Sequence, residues 1–227
     1  MMKTWIKSTL AISLMAASMG AAAYESGDMI VRVGAISVNP SASSDTVAPG
    51  VLDVTVDVGN NTQLGLTGTY MLSSNMGVEV VAATPFSHDI NVNEITLKAG
   101  DTKHLPPTVM LQYYPMASAS AFQPYVGLGL NHTVFFESYT SDELDGVLAS
   151  VLGASSVQGG LDLSNSTGLA VQVGFDYALS DNMGINMAAW KMDIDTTATV
   201  FADDNKVTSF DVAIDPMVYM AGVYYTF

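Results

Sequence analysis

Apolar and polar residues alternate along most of the chain, with the period of two that is typical of β-strands. The last ten residues, VYMAGVYYTF, show the pattern clearly, because large or apolar residues occupy every second position back from Phe227. Runs of this kind predict eight strands, at residues 28–38, 62–73, 76–86, 104–114, 123–136, 167–180, 183–197 and 208–227.

The connections between these predicted strands alternate in length. Two are tight turns, Ser73-Ser74-Asn75 and Ser180-Asp181-Asn182, and residues 115–122 form a third short connection. The others are long segments, at residues 39–61, 87–103, 137–166 and 198–207. An even number of strands, with short turns at one end and long extracellular loops at the other, is typical of an outer-membrane β-barrel and not of a β-sandwich.

The two faces of the strands separate a membrane barrel from a water-soluble one. In the strand at 167–180, one face is apolar (Leu169, Val171, Val173, Phe175, Tyr177, Leu179) and the other is small or polar (Gly168, Ala170, Gln172, Gly174, Asp176, Ala178). A soluble lipocalin-like barrel would turn its apolar face inward. Lipid outside and a polar interior explain both faces. Aromatic residues suited to the membrane interfaces are Tyr70, Tyr113, Tyr177, Tyr219 and Phe227.

The first 23 residues predict a cleaved signal peptide, because Lys3 and Lys7 precede an apolar stretch that ends in the small residues 21–23. The alternative is an uncleaved anchor helix, for which the apolar run is short. Residues 24–227 would then form the barrel. No later segment offers about 18 consecutive apolar residues, so we expect no transmembrane helix.

Composition removes several classes of function. The formal charge of -15 argues against a nucleic-acid partner, since phosphate binding requires a basic face. The chain has no cysteine, which excludes disulfides and thiolate chemistry.

The final strand, ending in Phe227, matches the signal that outer-membrane barrels present to the barrel assembly machinery; the alternative is an ordinary edge strand.

Several segments resemble the OmpW family of Gram-negative outer-membrane proteins. They are NNTQLGLTGTYM (60–71), GVEVVAATPFSHDI (77–90), HLPPTVMLQYYP (104–115), PYVGLGLNHTVFF (124–136), MDIDTTAT (192–199) and DPMVYMAGVYYTF (215–227). Residues 39–59 and 137–166 carry no such motif. The resemblance implies an eight-stranded outer-membrane barrel with an apolar interior that is implicated in the passage of small hydrophobic molecules.

Strand alternation places two sets of residues inside the barrel. Near the short turns we expect a polar floor of Arg32, Glu79, Gln112, Asp176, Asn186 and Tyr224. Since buried charges need partners, Arg32 is predicted to bridge Glu79 and Asp176, unless these residues lie in water at the rim. Farther from the turns the inward set becomes an apolar well that is either a ligand site or filled space: Ile36, Val81, Ala83, Met110, Trp190 and Met192.

A ligand in that well would have to leave sideways, because the floor is charged. Pro85 ends the third predicted strand, and Pro106 and Pro107 begin the fourth. Proline offers no N–H to a sheet, so a lateral opening is predicted there, unless the strands have already become loop.

The long loops contain further candidates. Residues 141–152 have helical spacing, with Ser141 as N-cap, and predict a short amphipathic helix whose apolar side packs or binds a partner. Asp193 and Asp195 have two interpretations: they bind a divalent ion, or lipopolysaccharide through such an ion, or they are solvated charges. Residues 203–205 form a turn-like acidic cluster with the same two interpretations. His88, His104 and His132 are scattered in sequence without metal-ligand spacing.

Two functions follow, and neither requires a cofactor or metal; a third, a through-pore for water-soluble solutes, is disfavoured by the polar floor. The first is an outer-membrane barrel through which small hydrophobic molecules enter a well and exit laterally into lipid. The alternative is a structural or surface-interaction barrel with a filled interior and functional acidic loops. No nucleophile and base are assembled, so we do not expect an enzyme. Expected partners are outer-membrane lipid, lipopolysaccharide, the assembly machinery and a small hydrophobic ligand.

Overall fold

The computed structural model describes residues 24–47, 54–95 and 97–227, so the predicted signal peptide lies outside the described residues. The strands are β1 Met29–Asn39, β2 Ser43–Ser44, β3 Val56–Val58, β4 Asn61–Ser73, β5 Met76–Ala83, β6 Phe86–Val92, β7 Leu97–Leu105, β8 Thr108–Tyr113, β9 Phe122–Thr140, β10 Gly159–Leu163, β11 Ser166–Ala178, β12 Met183–Met192, β13 Asp195–Ala202, β14 Asn205–Ala213 and β15 Met217–Thr226. A helix, α1 Asp142–Leu152, follows β9.

Eight of these strands close into an antiparallel barrel, in the order β9, β11, β12, β15, β1, β4, β5, β8 and back to β9. The first and last strands of the ring pair from Ile30–Thr226 to Asn39–Met217. Pairing of β9 with β11 completes the ring. The predicted fold class, an eight-stranded antiparallel β-barrel, is confirmed.

The two ends of the barrel differ, as the loop lengths predict. At the turn end, Ser73 pairs with Met76 across the first tight turn, and residues 179–182 make the second. The chain also ends there, where the Phe227 amide donates to the Met29 carbonyl at 2.9 Å. The opposite end, called the loop end here, carries the long connections.

Large apolar side chains cover the outside of the barrel. Roughly half-exposed examples from several strands are Leu64, Leu66, Val80, Val109, Leu111, Leu128, Leu130, Leu169, Val173, Met187 and Val223. Alternate positions on the same strands point inward and are small, polar or fully buried. Water would penalise such a continuous apolar belt, whereas hydrocarbon accommodates it.

At the loop end the structure corrects the sequence analysis, because the predicted loops contain strands. β6 pairs with β7, and β7 pairs with the outer part of β9, while β3 pairs with β6; we call this sheet I. A second four-stranded sheet, sheet II, has the order β10, β13, β14, β2. Together they extend the barrel wall outward.

Four predicted strands are correspondingly shorter than expected. The structure interrupts the strands predicted at 76–86 and 104–114 beside Pro85 and Pro106-Pro107, and those predicted at 183–197 and 208–227 beside residues 193–194 and Asp215-Pro216. Proline cannot donate to a ladder, and Asp215 has a left-handed φ of 37°. These breaks let the chain change sheets between the barrel and its extension.

The predicted helix in the third long loop is confirmed as α1. The Ser141 hydroxyl accepts from the Leu144 amide at 3.1 Å, which is the N-cap interaction. Gly153 ends the helix with a left-handed φ of 68°. Leu144 and Leu148 pack inward, whereas Val151 and Leu152 remain exposed. No helix among the described residues is long and apolar enough to cross a membrane.

Candidate functional site

Arg32 lies at the centre of the barrel interior, near the turn end, and contacts two carboxylates. Its Nε donates to Asp176 Oδ1 at 3.0 Å and its Nη2 to Asp176 Oδ2 at 2.5 Å. Its Nη1 donates to Glu79 Oε1 at 3.2 Å and to the Thr69 hydroxyl at 2.7 Å. All three charged side chains are 0% exposed, so the predicted bridge forms away from water and not at a wet rim.

Amide and phenol groups complete this polar floor. Gln172 donates to Glu79 Oε2 at 2.8 Å and accepts from Gln112 at 3.0 Å. Asn186 donates to Asp176 Oδ1 at 2.8 Å, and Tyr24 donates to Asp176 Oδ2 at 2.9 Å. Each carboxylate oxygen therefore has a partner, which is the condition for keeping charges inside a barrel.

Three floor residues are not predicted from the sequence, Tyr24, Tyr114 and Tyr125, whereas Gln172 is predicted on the inward face of its strand but not assigned to the floor. The Tyr114 hydroxyl accepts from Arg32 Nη2 at 3.0 Å, and the Arg32 guanidinium lies 5.1 Å from the Tyr125 ring centre. Tyr24 lies outside the strands, where alternation assigns no face, whereas Tyr114 ends the strand predicted at 104–114 and alternates with Gln112 toward the inside. Tyr125 alternates with outward Val126, so the same pattern could have predicted its inward position.

The six residues predicted to line an apolar well lie in the barrel interior and line neither of the two cavities described below. Ile36, Val81, Met110, Trp190 and Met192 are at most 3% exposed and belong to the packed core, and Ala83 packs against it. The indole Nε1 of Trp190 has no hydrogen-bond partner among the described residues. These side chains fill the barrel directly above the floor.

The apolar cavity lies farther out, between sheet I, sheet II and α1, and we call it the chamber. It measures about 60 Å³, and its lining includes Val38, Val56, Ile90, Leu161, Val200 and Phe210. A single water needs about 10–15 Å³, so the chamber has room for a small organic molecule. Val38 follows Ile36 on the inward face of β1, which places the chamber above the predicted well.

The chamber therefore lies one layer farther from the turn end than the well predicted from the sequence. Alternation within the eight barrel strands identifies the inward residues, but the chamber is built mainly by segments that the sequence predicts as loops. A separate open cleft of about 490 Å³ lies beside sheet II and is polar, with Asp195 and Asp211 in its lining.

Two of the three histidines meet in the chamber wall, which corrects the expectation that they are scattered. The Nε2 atoms of His88 and His104 are 3.0 Å apart, and both residues line the chamber. Burial lowers the pKa of His88 and lowers the pKa of His104 to about 3. His132 is elsewhere and contacts the Thr167 hydroxyl at 2.7 Å.

The proline positions coincide with an interruption in the wall. Pairing of β5 with β8 stops at Val81–Thr108, and the next pair along this seam joins Phe86 to His104. On the other side of β8 the ladder continues, because the His132 amide donates to the Pro107 carbonyl at 3.0 Å. Pro85 and Pro107 are exposed, and Pro106 is buried.

The acidic candidates lie at the surface. Asp193, Asp195 and Asp215 can bring one carboxylate oxygen each within 4.8 Å of the others. Partial burial, followed by the charge of Asp193, raises the pKa of Asp195. Asp203 and Asp204 form the turn between β13 and β14, both with positive φ. Exposed carboxylates of this kind need no ligand, so the cluster alone indicates no site.

The model of the OmpW family matches residues 25–227. The chain belongs to the OmpW family. It is 44% identical to outer membrane protein W of Vibrio cholerae over 209 residues, which cover 90% of this chain and 91% of that protein. This membership places the protein in the outer membrane, with the turn end in the periplasm and the loop end outside the cell.

Solved structures of OmpW relatives share the fold. The crystal structure of OprG from Pseudomonas aeruginosa is 42% identical, with a TM-score of 0.80 over 90% of this chain and 98% of that one. The solution structure of E. coli outer membrane protein W is 37% identical, with a TM-score of 0.59 over 90% and 100%. These relatives are outer-membrane barrel proteins.

Proposed function

We propose that this barrel admits small hydrophobic molecules from outside the cell into the chamber and releases them sideways into the outer membrane. The observation that carries the proposal is an apolar chamber that lies above a floor sealed by buried, fully partnered charges. A molecule that enters from outside meets apolar surface first and finds no apolar route through the floor.

The release step is proposed beside Pro85, Pro106 and Pro107, where β5 and β8 cease to pair. Separating two strands elsewhere would break ladder hydrogen bonds, which costs free energy in a medium without water. Between Val81–Thr108 and Phe86–His104 no such pairs have to be broken within the described residues. The six residues of the predicted well, Trp190 among them, are packed below the chamber and form the apolar base on which the ligand would rest.

Two partners are proposed for other parts of the molecule. Phe227 is 71% exposed at the end of the closing strand, where the assembly machinery would recognise it. The exposed acidic residues at the loop end face the lipopolysaccharide layer, whose divalent ions would bridge them to its phosphates. The same acidic surface is what the alternative function, a surface-interaction barrel, would use.

A disulfide across the interruption tests lateral release. Ala83 would face Pro106 if the ladder continued past Val81–Thr108, and the chain has no cysteine of its own. We expect the oxidised Ala83→Cys/Pro106→Cys barrel to lose most of its uptake of a small radiolabelled hydrocarbon into intact cells, and to regain it on reduction. The matched control is Val80→Cys/Val109→Cys, a pair already joined in the ladder of the same seam.

Entry into the chamber is measured separately. Trp5 and Trp190 are the chain's two tryptophans, so the barrel without residues 1–23 reports through Trp190 alone. Titration with toluene should give a saturable change in Trp190 fluorescence, which would support entry. The Ala198→Trp variant, which fills the chamber wall, should abolish that change once the fluorescence of the added indole is subtracted.

The outcomes distinguish the proposed functions. Unchanged hydrocarbon uptake by the disulfide-locked barrel would refute lateral release. Uptake that depends on the acidic loops but not on the chamber would favour the surface-interaction barrel.

A further inference from the structure

The carbonyl of Pro106 lies at the interruption between β5 and β8, where side chains bind it in place of a strand. Nδ2 of Asn131 donates to this carbonyl at 3.2 Å, and the Thr108 hydroxyl donates to it at 3.0 Å. In a continued ladder Pro106 would lie opposite Ala83, but pairing of β5 with β8 stops at Val81–Thr108. Asn131, on β9, therefore supplies a bond at a place that β5 has left.

Three buried side chains form a connected set of hydrogen bonds around this carbonyl. Besides its bond to Pro106, Asn131 Nδ2 donates to the Thr108 hydroxyl at 2.8 Å, and Oδ1 of Asn131 accepts from the Thr133 hydroxyl at 2.7 Å. Asn131, Thr108 and Thr133, which we call the latch, are at most 1% exposed. An amide whose nitrogen and oxygen are both satisfied in a buried place has one favoured orientation, so the latch fixes the position of Pro106.

The opposite side of the interruption is tied to a different strand. The Thr84 amide donates to the Leu64 carbonyl of β4 at 3.0 Å, and the Thr84 hydroxyl donates to Gln63 Oε1 at 2.9 Å. These bonds connect each side of the interruption to its own neighbour, β4 or β9, and not to the opposite side. The two sides can separate with the β4–β5 ladder intact, whereas Pro106 cannot move outward without breaking both bonds to its carbonyl.

We propose that Asn131 is a positioning residue that holds the lateral exit closed through the Pro106 carbonyl. This inference rests on the proposed function, because it concerns the release step at the interruption. Outward movement of Pro106 breaks the bonds from Asn131 and Thr108 in a region that water does not reach. An unpaired buried carbonyl is costly, so the latch keeps the open state rare without a strand across the exit.

Opening is measured with a cysteine at Ala83, because the chain has no cysteine of its own and Ala83 packs against the core. The Ala83→Cys barrel is held in lipid nanodiscs with pyrene maleimide, a thiol reagent that dissolves in the lipid. The closed wall separates this cysteine from the reagent, so the labelling rate reports how often the exit opens. Ala82→Cys, at an exposed position on the lipid face, gives the unhindered rate.

We expect Asn131→Leu to raise the labelling rate of Ala83→Cys by about 5- to 20-fold, because it removes both bonds donated by the amide. Thr108→Val should raise the rate by about 3- to 5-fold, and Thr108→Ser, which keeps the hydroxyl, should retain the original rate. These milder variants test the latch even if Asn131→Leu does not fold.

Gln123→Leu is the matched control for a general loss of stability. It removes a buried amide that donates to three backbone carbonyls at the turn end, far from the interruption. We expect it to lower the free energy of unfolding without changing the labelling rate of Ala83→Cys. The rise caused by Asn131→Leu should also persist when Ala198→Trp fills the chamber, because the reagent arrives from the lipid.

The outcomes separate this inference from the function on which it rests. If Ala83→Cys is labelled equally fast with and without Asn131→Leu or Thr108→Val, the latch is refuted while lateral release stands. An equal rise in Gln123→Leu, or a rise that Ala198→Trp removes, would also refute the latch. If Ala83→Cys is labelled in no variant although Ala82→Cys is, the exit does not open, and lateral release and this inference both fail.

Discussion

Arg32 shows how one residue can decide whether a polar floor is stable. It is the cation that contacts both Glu79 and Asp176, and all three are fully buried. Removing it leaves two carboxylates without their charge partner in a region that water does not reach. The gain from the intact pair is small once desolvation is counted, but the cost of breaking it is large.

We therefore expect Arg32→Met to lower the free energy of unfolding by about 3–5 kcal/mol. The measurement is urea unfolding of the purified barrel in lipid vesicles. Lys103→Met is the matched control, because it breaks the exposed Lys103–Glu137 pair and should leave the midpoint unchanged. Equal effects of the two substitutions would show that burial does not set the strength of the Arg32 pairs.

His104 should make stability depend on pH in the acidic range. Its pKa is lowered from 6.5 to about 3 in the folded protein by burial, and then by the neighbouring His88. Between these values the unfolded chain binds a proton that the folded protein does not. Stability is therefore complete above the unfolded pKa of 6.5 and is lost as pH falls toward 3.

The expected loss from this residue is about 1.4 kcal/mol per pH unit near pH 5. It is measured as the difference in slope between the wild-type barrel and His104→Phe, since the acidic residues contribute equally to both. His132→Phe should retain the wild-type slope. A slope that does not change in His104→Phe would mean that the imidazole is accessible to protons in the folded state.

At the scale of strands, inward glycines make room for the floor. A Cβ at Gly174 on β11 would lie 2.5 Å from Cζ of Tyr125 and 2.8 Å from the Met187 carbonyl. The Tyr125 ring is buried between Tyr114 and Arg32 and cannot easily move aside. A small residue at this position of the strand is therefore a packing requirement.

Gly174→Ala should destabilise the barrel by about 1–3 kcal/mol, because it overpacks the floor. Gly68→Ala on β4 is the comparison, since a Cβ there meets no atom within 4 Å. Thermal unfolding, followed by the shift of the folded band in electrophoresis, measures both. A barrel that tolerates Gly174→Ala as well as Gly68→Ala would imply that Tyr125 is mobile.

The strands also show what sequence alone could predict. Alternation located the eight barrel strands and the charged floor residues. It assigns the faces sharply, because a one-residue shift would turn every side chain of a strand to the wrong face. It did not locate the chamber, although Phe86, His88, Ile90 and Val92 alternate inward on β6. The contact between His88 and His104 depends on the β6–β7 register, which one sequence does not specify.

For the molecule as a whole, the central question is whether a continuous aqueous path crosses the barrel. An eight-stranded barrel has an interior just wide enough for its own side chains. Here Arg32, Glu79, Asp176, Gln112 and Tyr114 fill the section near the periplasm and are at most 1% exposed. The packed residues around Trp190 close the next layer. Water and ions would have to displace a hydrogen-bonded network and a hydrophobic layer in succession.

The barrel inserted into a planar bilayer should consequently show no steady ion conductance at any moderate voltage. A general diffusion porin in the same membrane is the positive control, because it shows that an open path would have been detected. Tyr114→Ala/Tyr125→Ala removes two rings from the floor and should raise the frequency of brief openings without disturbing the chamber. Large, steady conductance of the unmodified barrel would mean that the floor opens, and a route through the barrel would then replace lateral release as the proposed exit.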